Sequence, residues 1–199
     1  MPRFRERVLN SRGAVAVSHI VRRENRVFHF NRSDRLDLNG RRILMFIDRH
    51  LHLARLANMV AFCCVPSQSA YSVGAVIADS DGSILGVGYS RLSGPSDHAE
   101  EAALQAAQKR RNNLSGAYIY TSLEPCGVRN SKSVSCARLL IESGIARVYF
   151  TAREPALFQR QCGLQVLAKA GVLCFQLAGF DHQFRHANYH LLKASHIAS

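Results

Sequence analysis

No stretch of the 199-residue chain stays apolar for the roughly 18 positions that a membrane span needs. The opening residues carry Arg3, Arg5, Arg7 and Arg12 and lack a continuous apolar segment, so a secretory signal is not expected. Together these absences give the expectation of a cytoplasmic protein with no membrane partner. Acidic residues are also scarce, with 14 Asp+Glu against 26 Lys+Arg and a net charge of +12. The excess is uneven: residues 1–55 hold 13 Arg and 5 acids, giving +8, and residues 56–199 hold 13 Lys+Arg and 9 acids, giving +4. A basic arm can grip nucleic acid. This one has few aromatics (Phe4, Phe28, Phe30) and no recognisable nucleic-acid module. The default reading is therefore a solvated, Arg-rich face, and nucleic acid is not the favoured partner. A transit segment is a third reading, opposed by Glu6, Glu24, Asp34 and Asp37. Internal repeats and low-complexity segments are absent as well.

About half of the chain, 47%, is apolar, enough for the core of one domain with a modest extension. Residues 1–44 show no steady period and are read as that extension. The pattern becomes regular at Phe46, and residues 45–199 are read as the folded domain. Phe46, Leu51, Leu53, Leu56, Val60 and Phe62 suit a packed helix that ends at Pro66. Ser72–Ala78 and Ser83–Tyr89 form a hairpin around the turn Asp79-Ser80-Asp81-Gly82. Asp97 is placed as an N-cap, with Glu100 three residues on and the small Ala102, Ala103, Ala106 and Ala107 following. Then come a strand at Ala117–Leu123, a short helix at Cys136–Ser143 closed by Gly144, and a strand at Arg147–Thr151. A helix at Gln161–Ala170, a strand at Val172–Leu177 and a last helix at Phe184–Ala194 complete the pattern. This alternation predicts an α/β fold, a three-layer α/β/α sandwich around a mixed sheet of about five strands.

Of the six cysteines, Cys63, Cys64, Cys162 and Cys174 lie in apolar patterns and are read as small buried hydrophobes. Cys126 and Cys136 stand apart, since each sits at a strand-to-helix junction. With His98 they supply one imidazole and two thiolates, a ligand set that suits zinc. Three protein ligands leave a fourth position for water, the arrangement of a catalytic zinc. The expected cofactor is one zinc ion per chain. Glu100 cannot share a helix face with His98, because two residues advance roughly 200° around a helix. Both reach one metal-side water only if the site lies off the end of the helix, near its first turn. The three ligands then sit at the carboxyl ends of strands, where open α/β sheets bind ligands. Glu101 is read as a first-turn acid that complements the helix dipole. Arg129 and Lys132, between the cysteines, can bind a phosphate or be solvated loop charges. His50, His52, His182 and His186 are read as surface or packing residues.

His98-Ala99-Glu100 followed by Pro125-Cys126 and a later cysteine matches the zinc deaminase signature, in which the glutamate moves protons and is not a ligand. The Pro-Cys-x-x-Cys spacing of that signature is stretched here to nine intervening residues, and this departure marks a subtype. The chain resembles the cytidine and deoxycytidylate deaminase superfamily, and within it the deaminase domain of riboflavin biosynthesis that acts on a diaminopyrimidinone ribosylamine phosphate. The resemblance rests on Val73-Gly74-Ala75-Val76-Ile77, Gly86-Val87-Gly88-Tyr89, Thr121-Ser122-Leu123-Glu124-Pro125-Cys126, the run Leu140 to Val148, Gly163-Leu164 and Ala187-Asn188-Tyr189. It covers about residues 46–192 and implies a cytidine deaminase-like fold with His98, Cys126 and Cys136 on zinc and Glu100 catalytic.

Three stretches depart from that family's pattern. Its Asn-Pro before the Val-Gly is replaced by Ala70-Tyr71-Ser72, its histidine after the Gly-Tyr is Ser90, and its loop between the cysteines becomes Gly127–Ser135, one residue longer. In the family these positions help recognise substrate, so Ser90, Arg129 and Lys132 are the candidate substrate contacts. The sequence after residue 192 carries no pattern of the reductase domain often fused to this deaminase in bacteria.

The implied function is zinc-dependent hydrolytic deamination of an aminopyrimidine-type nucleotide or nucleoside. Other readings are a nucleic-acid editing deaminase that uses the basic arm, a deaminase of a related heterocycle in secondary metabolism, and a non-catalytic subunit, against which Glu100 argues. The expected partners are a small heterocyclic amine and a second copy in a homodimer or tetramer. Because no ligand or proton-moving group precedes Met45, a chain beginning there is expected to fold and to bind zinc.

Overall fold

The computed structural model describes residues 27–30, 40–129, 132–154 and 163–192, with side chains from residue 48 onward. Most of the basic arm lies outside the described residues. The elements are β1 (Val27–Phe30), α1 (Gly40–Val60), β2 (Gly74–Ala78), β3 (Ile84–Tyr89), α2 (Ala99–Arg110), β4 (Tyr118–Leu123), α3 (Cys136–Glu142), β5 (Arg147–Ala152), α4 (Gly163–Lys169), β6 (Leu173–Leu177) and α5 (Asp181–Ala187). A single 3-10 turn, Ala61–Cys63, follows α1. No helix among the described residues is long and apolar enough to cross a membrane.

The sheet order is β1-β6-β5-β4-β2-β3. The five strands from β6 to β3 are those the hydrophobic runs predict. The sixth, β1, falls inside the segment read as an extension and pairs in parallel with β6, Val27 opposite Cys174. Its four residues are too short to produce a period that stands out from an irregular stretch. β2 runs antiparallel to both β3 and β4, whereas β4, β5 and β6 are parallel. The carboxyl ends of β3, β4 and β5 therefore meet at one edge of the sheet, and the site is built there.

Alternation along the strands divides the core into two layers. Val76, Ala78, Tyr120, Tyr149 and Leu177 face α1 through Leu53, Ala54 and Ala57. Ala75, Ile77, Ile119, Val148, Phe150 and Cys174 face the other way, against Ala103 and Ala107 of α2, Ala137 and Leu140 of α3 and Leu164 and Leu167 of α4. The result is the expected three-layer sandwich. The alanines of α2 allow backbone-close packing on β3, and Gly88 completes it: a Cβ there would stand 2.3 Å from the Ala103 nitrogen and 2.6 Å from the Ala99 carbonyl oxygen. Gly88→Ala is expected to cost about 3 kcal/mol, the upper end of overpacking, because the obstacle is backbone and cannot rotate away. Gly94→Ala, whose added carbon would meet only Asp97 at 3.5 Å, is the control. Equal urea midpoints for the two variants would count against this account of the α2–β3 contact.

On the α1 face, His50 is buried and shares a 2.6 Å hydrogen bond with the Tyr120 hydroxyl. Its ring stacks on Tyr149 at 4.3 Å between centroids. It is thus a packing residue, as expected, while His52, His182 and His186 are exposed. Burial first, then the charges of Arg147 and Arg49, pull its pKa from 6.5 down to about 4. Between those values the folded chain binds fewer protons than the unfolded one, so stability present above pH 6.5 is lost as the pH falls toward 4. At 1.36 kcal/mol per pKa unit the loss is at most about 3 kcal/mol. His50→Gln keeps a hydrogen-bonding side chain without that titration. Its urea midpoint is expected to change less than the parent's between pH 7 and pH 4.5, and parallel pH curves would refute the assignment.

Cys64 and Cys174 are buried as read, but Cys63 is exposed. The chain leaves α1 through the 3-10 turn at this point, so the α-helical period that would have turned Cys63 inward has already stopped. Cys162 lies outside the described residues, as do the first two positions of the helix expected from Gln161. The last helix begins three residues before Phe184 and is interrupted at Asn188, whose side chain is engaged elsewhere.

Candidate functional site

The first turn of α2 and the first turn of α3 project over the sheet edge where β4 ends. His98, with extended backbone (φ −92°, ψ 154°), is the N-cap residue of α2. Asp97 was expected in that role. Its carboxylate instead accepts from the Ser93 amide at 3.2 Å and from Lys132 at 3.1 Å, which bends the preceding loop rather than capping the helix. The shift by one residue places His98 off the helix end and Glu100 in its first turn, so the two can face one point despite their spacing. Cys126 follows the strand β4, and Cys136 is the first residue of α3, with Ser135 as a side-chain N-cap. Gly163 backs this segment: a Cβ there would lie 2.0 Å from the Pro125 carbonyl oxygen, so the start of α4 comes closer than any side chain permits.

Nδ1 of His98 lies 3.3 Å from the sulfur of Cys136 and 3.7 Å from that of Cys126. The three donor atoms all fall within 4.8 Å of one another. Zinc bonds of about 2.3 Å to sulfur and about 2.0–2.1 Å to nitrogen, at tetrahedral angles, separate S and N by about 3.5 Å. The donor set therefore fits zinc in both chemistry and spacing. The Cys136 amide donates to the Cys126 sulfur at 3.3 Å, as suits a thiolate at a helix N-terminus. The hydrogen bond from Cys136 lowers the Cys126 pKa against the burial that would raise it, with His98 adding to the lowering. The same hydrogen bond and burial push the Cys136 thiol up. One sulfur is thus readily ionised, while burial and its neighbour hold the other toward the thiol form.

Glu100 is 3% exposed, and its Oε2 accepts from the Cys136 thiol at 3.5 Å. Burial pushes its carboxyl up, and the charge of His98 pulls it part of the way back. A buried carboxyl beside the donor set is placed to take up and release a proton rather than to stand as a fixed charge.

The other candidates do not gather around these atoms in the same way. Ser90 is buried, and its hydroxyl accepts from the Val73 amide at 3.2 Å, tying β3 to the strand entry of β2. Arg129 pairs with Glu101 at 2.9 Å and Lys132 with Glu101 at 2.8 Å. Glu101 is therefore the anchor of the loop between the cysteines, more than the dipole complement that its position in the first turn suggested. Two supporting residues had no clear signal in the sequence. Arg91, at φ +65°, donates to the carbonyls of Val65 and Tyr71 and to the Ser72 hydroxyl. Asn188 accepts from the Ser72 amide at 2.7 Å and donates to its carbonyl at 3.1 Å. Together they hold the Ala70-Tyr71-Ser72 stretch. Only the position of Asn188 in a family-like tail pointed to it.

A His/Cys/Cys donor set beside a buried glutamate, at the carboxyl edge of an α/β/α sandwich, is the equipment of a metal-dependent hydrolytic fold. The chain belongs to the cytidine and deoxycytidylate deaminase zinc-binding family, whose profile matches residues 48–152. It is 37% identical over 120 residues to the diaminohydroxyphosphoribosylamino-pyrimidine deaminase of Schizosaccharomyces pombe, covering 59% of this chain and 29% of that protein. It is likewise 37% identical over 101 residues to the riboflavin biosynthesis protein RibD of Escherichia coli, covering 51% and 26%. The chain thus spans less than a third of the length of these curated relatives. Among solved structures, a deaminase/reductase of Thermotoga maritima superposes with a TM-score of 0.64 at 24% identity, over 73% of this chain and 41% of that one. The Rib2 deaminase of Aspergillus oryzae in complex with DARIPP gives 0.63 at 22% identity, over 72% and 91%. These likenesses establish the cytidine deaminase-like fold that the sequence motifs implied.

Proposed function

We propose that this protein is a zinc-dependent hydrolytic deaminase that releases ammonia from an aminopyrimidine nucleotide or nucleoside of the riboflavin-pathway type. The observation that carries the proposal is the convergence of His98 Nδ1 and two cysteine sulfurs within 4.8 Å, with the buried Glu100 against one of them. The relatives with riboflavin-pathway names direct the choice of substrate class. His98, Cys126 and Cys136 would hold one zinc ion per chain, and the ion when bound would lower the pKa of water enough for attack at neutral pH. Glu100, buried beside Cys136, is proposed to take a proton from the attacking water as a bond forms to the amine-bearing carbon. It then gives a proton to the leaving nitrogen, so a C–N bond breaks, a C–O bond forms and ammonia departs. Lys132 keeps 36% of its side chain exposed and is the residue proposed to meet an anionic substituent of the substrate. Ser90 and Arg129 are proposed to support the site rather than to touch the ligand.

The test is ammonia release by the zinc-loaded protein, screened against aminopyrimidine nucleotides, nucleosides and free bases. Turnover of a ribosylaminopyrimidine phosphate is expected, and release from none of the three groups overturns the reading. A salt-sensitive affinity for RNA together with turnover on RNA alone would favour an editing role instead. The domain division at residue 44 is likewise proposed. A chain beginning at Met45 loses β1 and the first turn of α1 but no site residue. It is expected to bind zinc and turn over substrate at a near-parental rate. An inactive, folded, zinc-loaded truncation would place part of the pocket in residues 1–44.

A further inference from the structure

The loop that joins the two cysteines must return its second sulfur to within a few ångströms of His98, yet it is longer than the family pattern. A longer loop loses more conformational freedom on closing. Arg129 stands between three segments. Its Nη1 donates to Glu101 Oε2 at 2.9 Å, its Nη2 donates to the Ser96 carbonyl, and its side chain is 1% exposed. Lys132 adds bonds to Glu101 Oε1 at 2.8 Å and Asp97 Oδ1 at 3.1 Å. Asp97 immediately precedes His98, and Glu101 immediately follows Glu100. The two carboxylates that hold the loop thus stand next to residues of the reacting centre.

We propose that Glu101 and Arg129 are a positioning pair, locking the loop that bears Cys126 and Cys136 to the turn that bears His98 and Glu100. This inference rests on the proposed reading of the metal site. Glu101 points away from Glu100 around the helix and engages both cations of the loop with its two oxygens. Arg129 is enclosed, its side chain 1% exposed, so solvent screens its charge little and neutralising Glu101 is costly. A guanidinium fork also fixes direction, which an ammonium cannot do. Losing the pair therefore loosens the distance between the sulfurs and the imidazole while leaving all three ligands present.

The test compares zinc-loaded full-length parent with Glu101→Gln, Arg129→Lys and the double variant Glu101→Leu/Arg129→Met. The readouts are the rate of zinc release to a chelator, the visible spectrum of the cobalt-substituted form, kcat and KM, and the melting temperature. Glu101→Gln is expected to release zinc at least about tenfold faster and to lose about tenfold in kcat with KM little changed. Arg129→Lys, which keeps charge but not the fork, is expected to fall between parent and Glu101→Gln. The double variant removes both charges, so its melting temperature is expected to recover. Its fast zinc release and altered cobalt spectrum are expected to persist, because the alignment is still lost. If stability, zinc retention and cobalt spectrum all recover together, the pair is merely structural and the proposal fails. Parental release rates and spectra in Glu101→Gln and Arg129→Lys also overturn it. A parent chain that takes up no zinc overturns the reading of the metal site itself, a result distinct from either of these.

Discussion

Glu100→Gln is expected to retain zinc and to bind substrate with nearly parental affinity while losing about 10²- to 10⁴-fold in turnover, the range for a removed general acid–base group. The amide is close in shape to the carboxylic acid it replaces, so the space occupied by Glu100, itself 3% exposed, stays filled. What it cannot do is take a proton from water and return it to the departing amine. The ratio kcat/KM should fall as steeply as kcat, which marks an interaction made only in the transition state. The measurement is steady-state ammonia release beside a metal assay on the same preparation. A loss below tenfold would remove Glu100 from the proton-moving role.

Cys126→Ala is expected to abolish zinc retention and to lower the melting temperature. The purified parent should hold about one zinc per chain, and two remaining ligands do not make a tight site. Loss of the ion is also loss of stability, since binding free energy and local order are coupled. The cost extends beyond the metal, because the sulfur also accepts the Cys136 amide at 3.3 Å and so helps to fix the start of α3. Cys63→Ala, at an exposed position away from the site, should leave metal content unchanged. Full zinc occupancy in Cys126→Ala would remove it from the ligand set.

Much of the candidate site is legible in the sequence, because its signals are local. His98-Ala99-Glu100 and Pro125-Cys126 place chemically distinct groups at short spacings, next to strands and helices whose periods are strong. The same locality explains the failures. Asp97 has the residue type and spacing of an N-cap, but Lys132, 35 positions away, holds its carboxylate. Glu101 reads as a first-turn acid that complements the helix dipole until the fold brings Arg129 and Lys132 onto it. Cys63 sits where a helical period would bury it, but the helix tightens into a 3-10 turn first. A strand of four residues such as β1 is too brief to announce itself and is defined by its partner β6.

The sequence by itself determined the order of helices and strands from α1 onward, the two-faced pattern that makes a three-layer sandwich, and the four residues proposed for the site. These follow from side-chain chemistry and from periods of 2 and 3.6, which act over a few residues. Only the tertiary structure decided that His98 Nδ1 faces both sulfurs, that Glu100 is buried beside them, and that the cations of the loop are bound to Glu101 and Asp97. Those outcomes depend on which segments the sheet order and the helix crossovers bring together. A side chain's charge state and partners are set by its neighbours in space, and no short stretch of sequence names them.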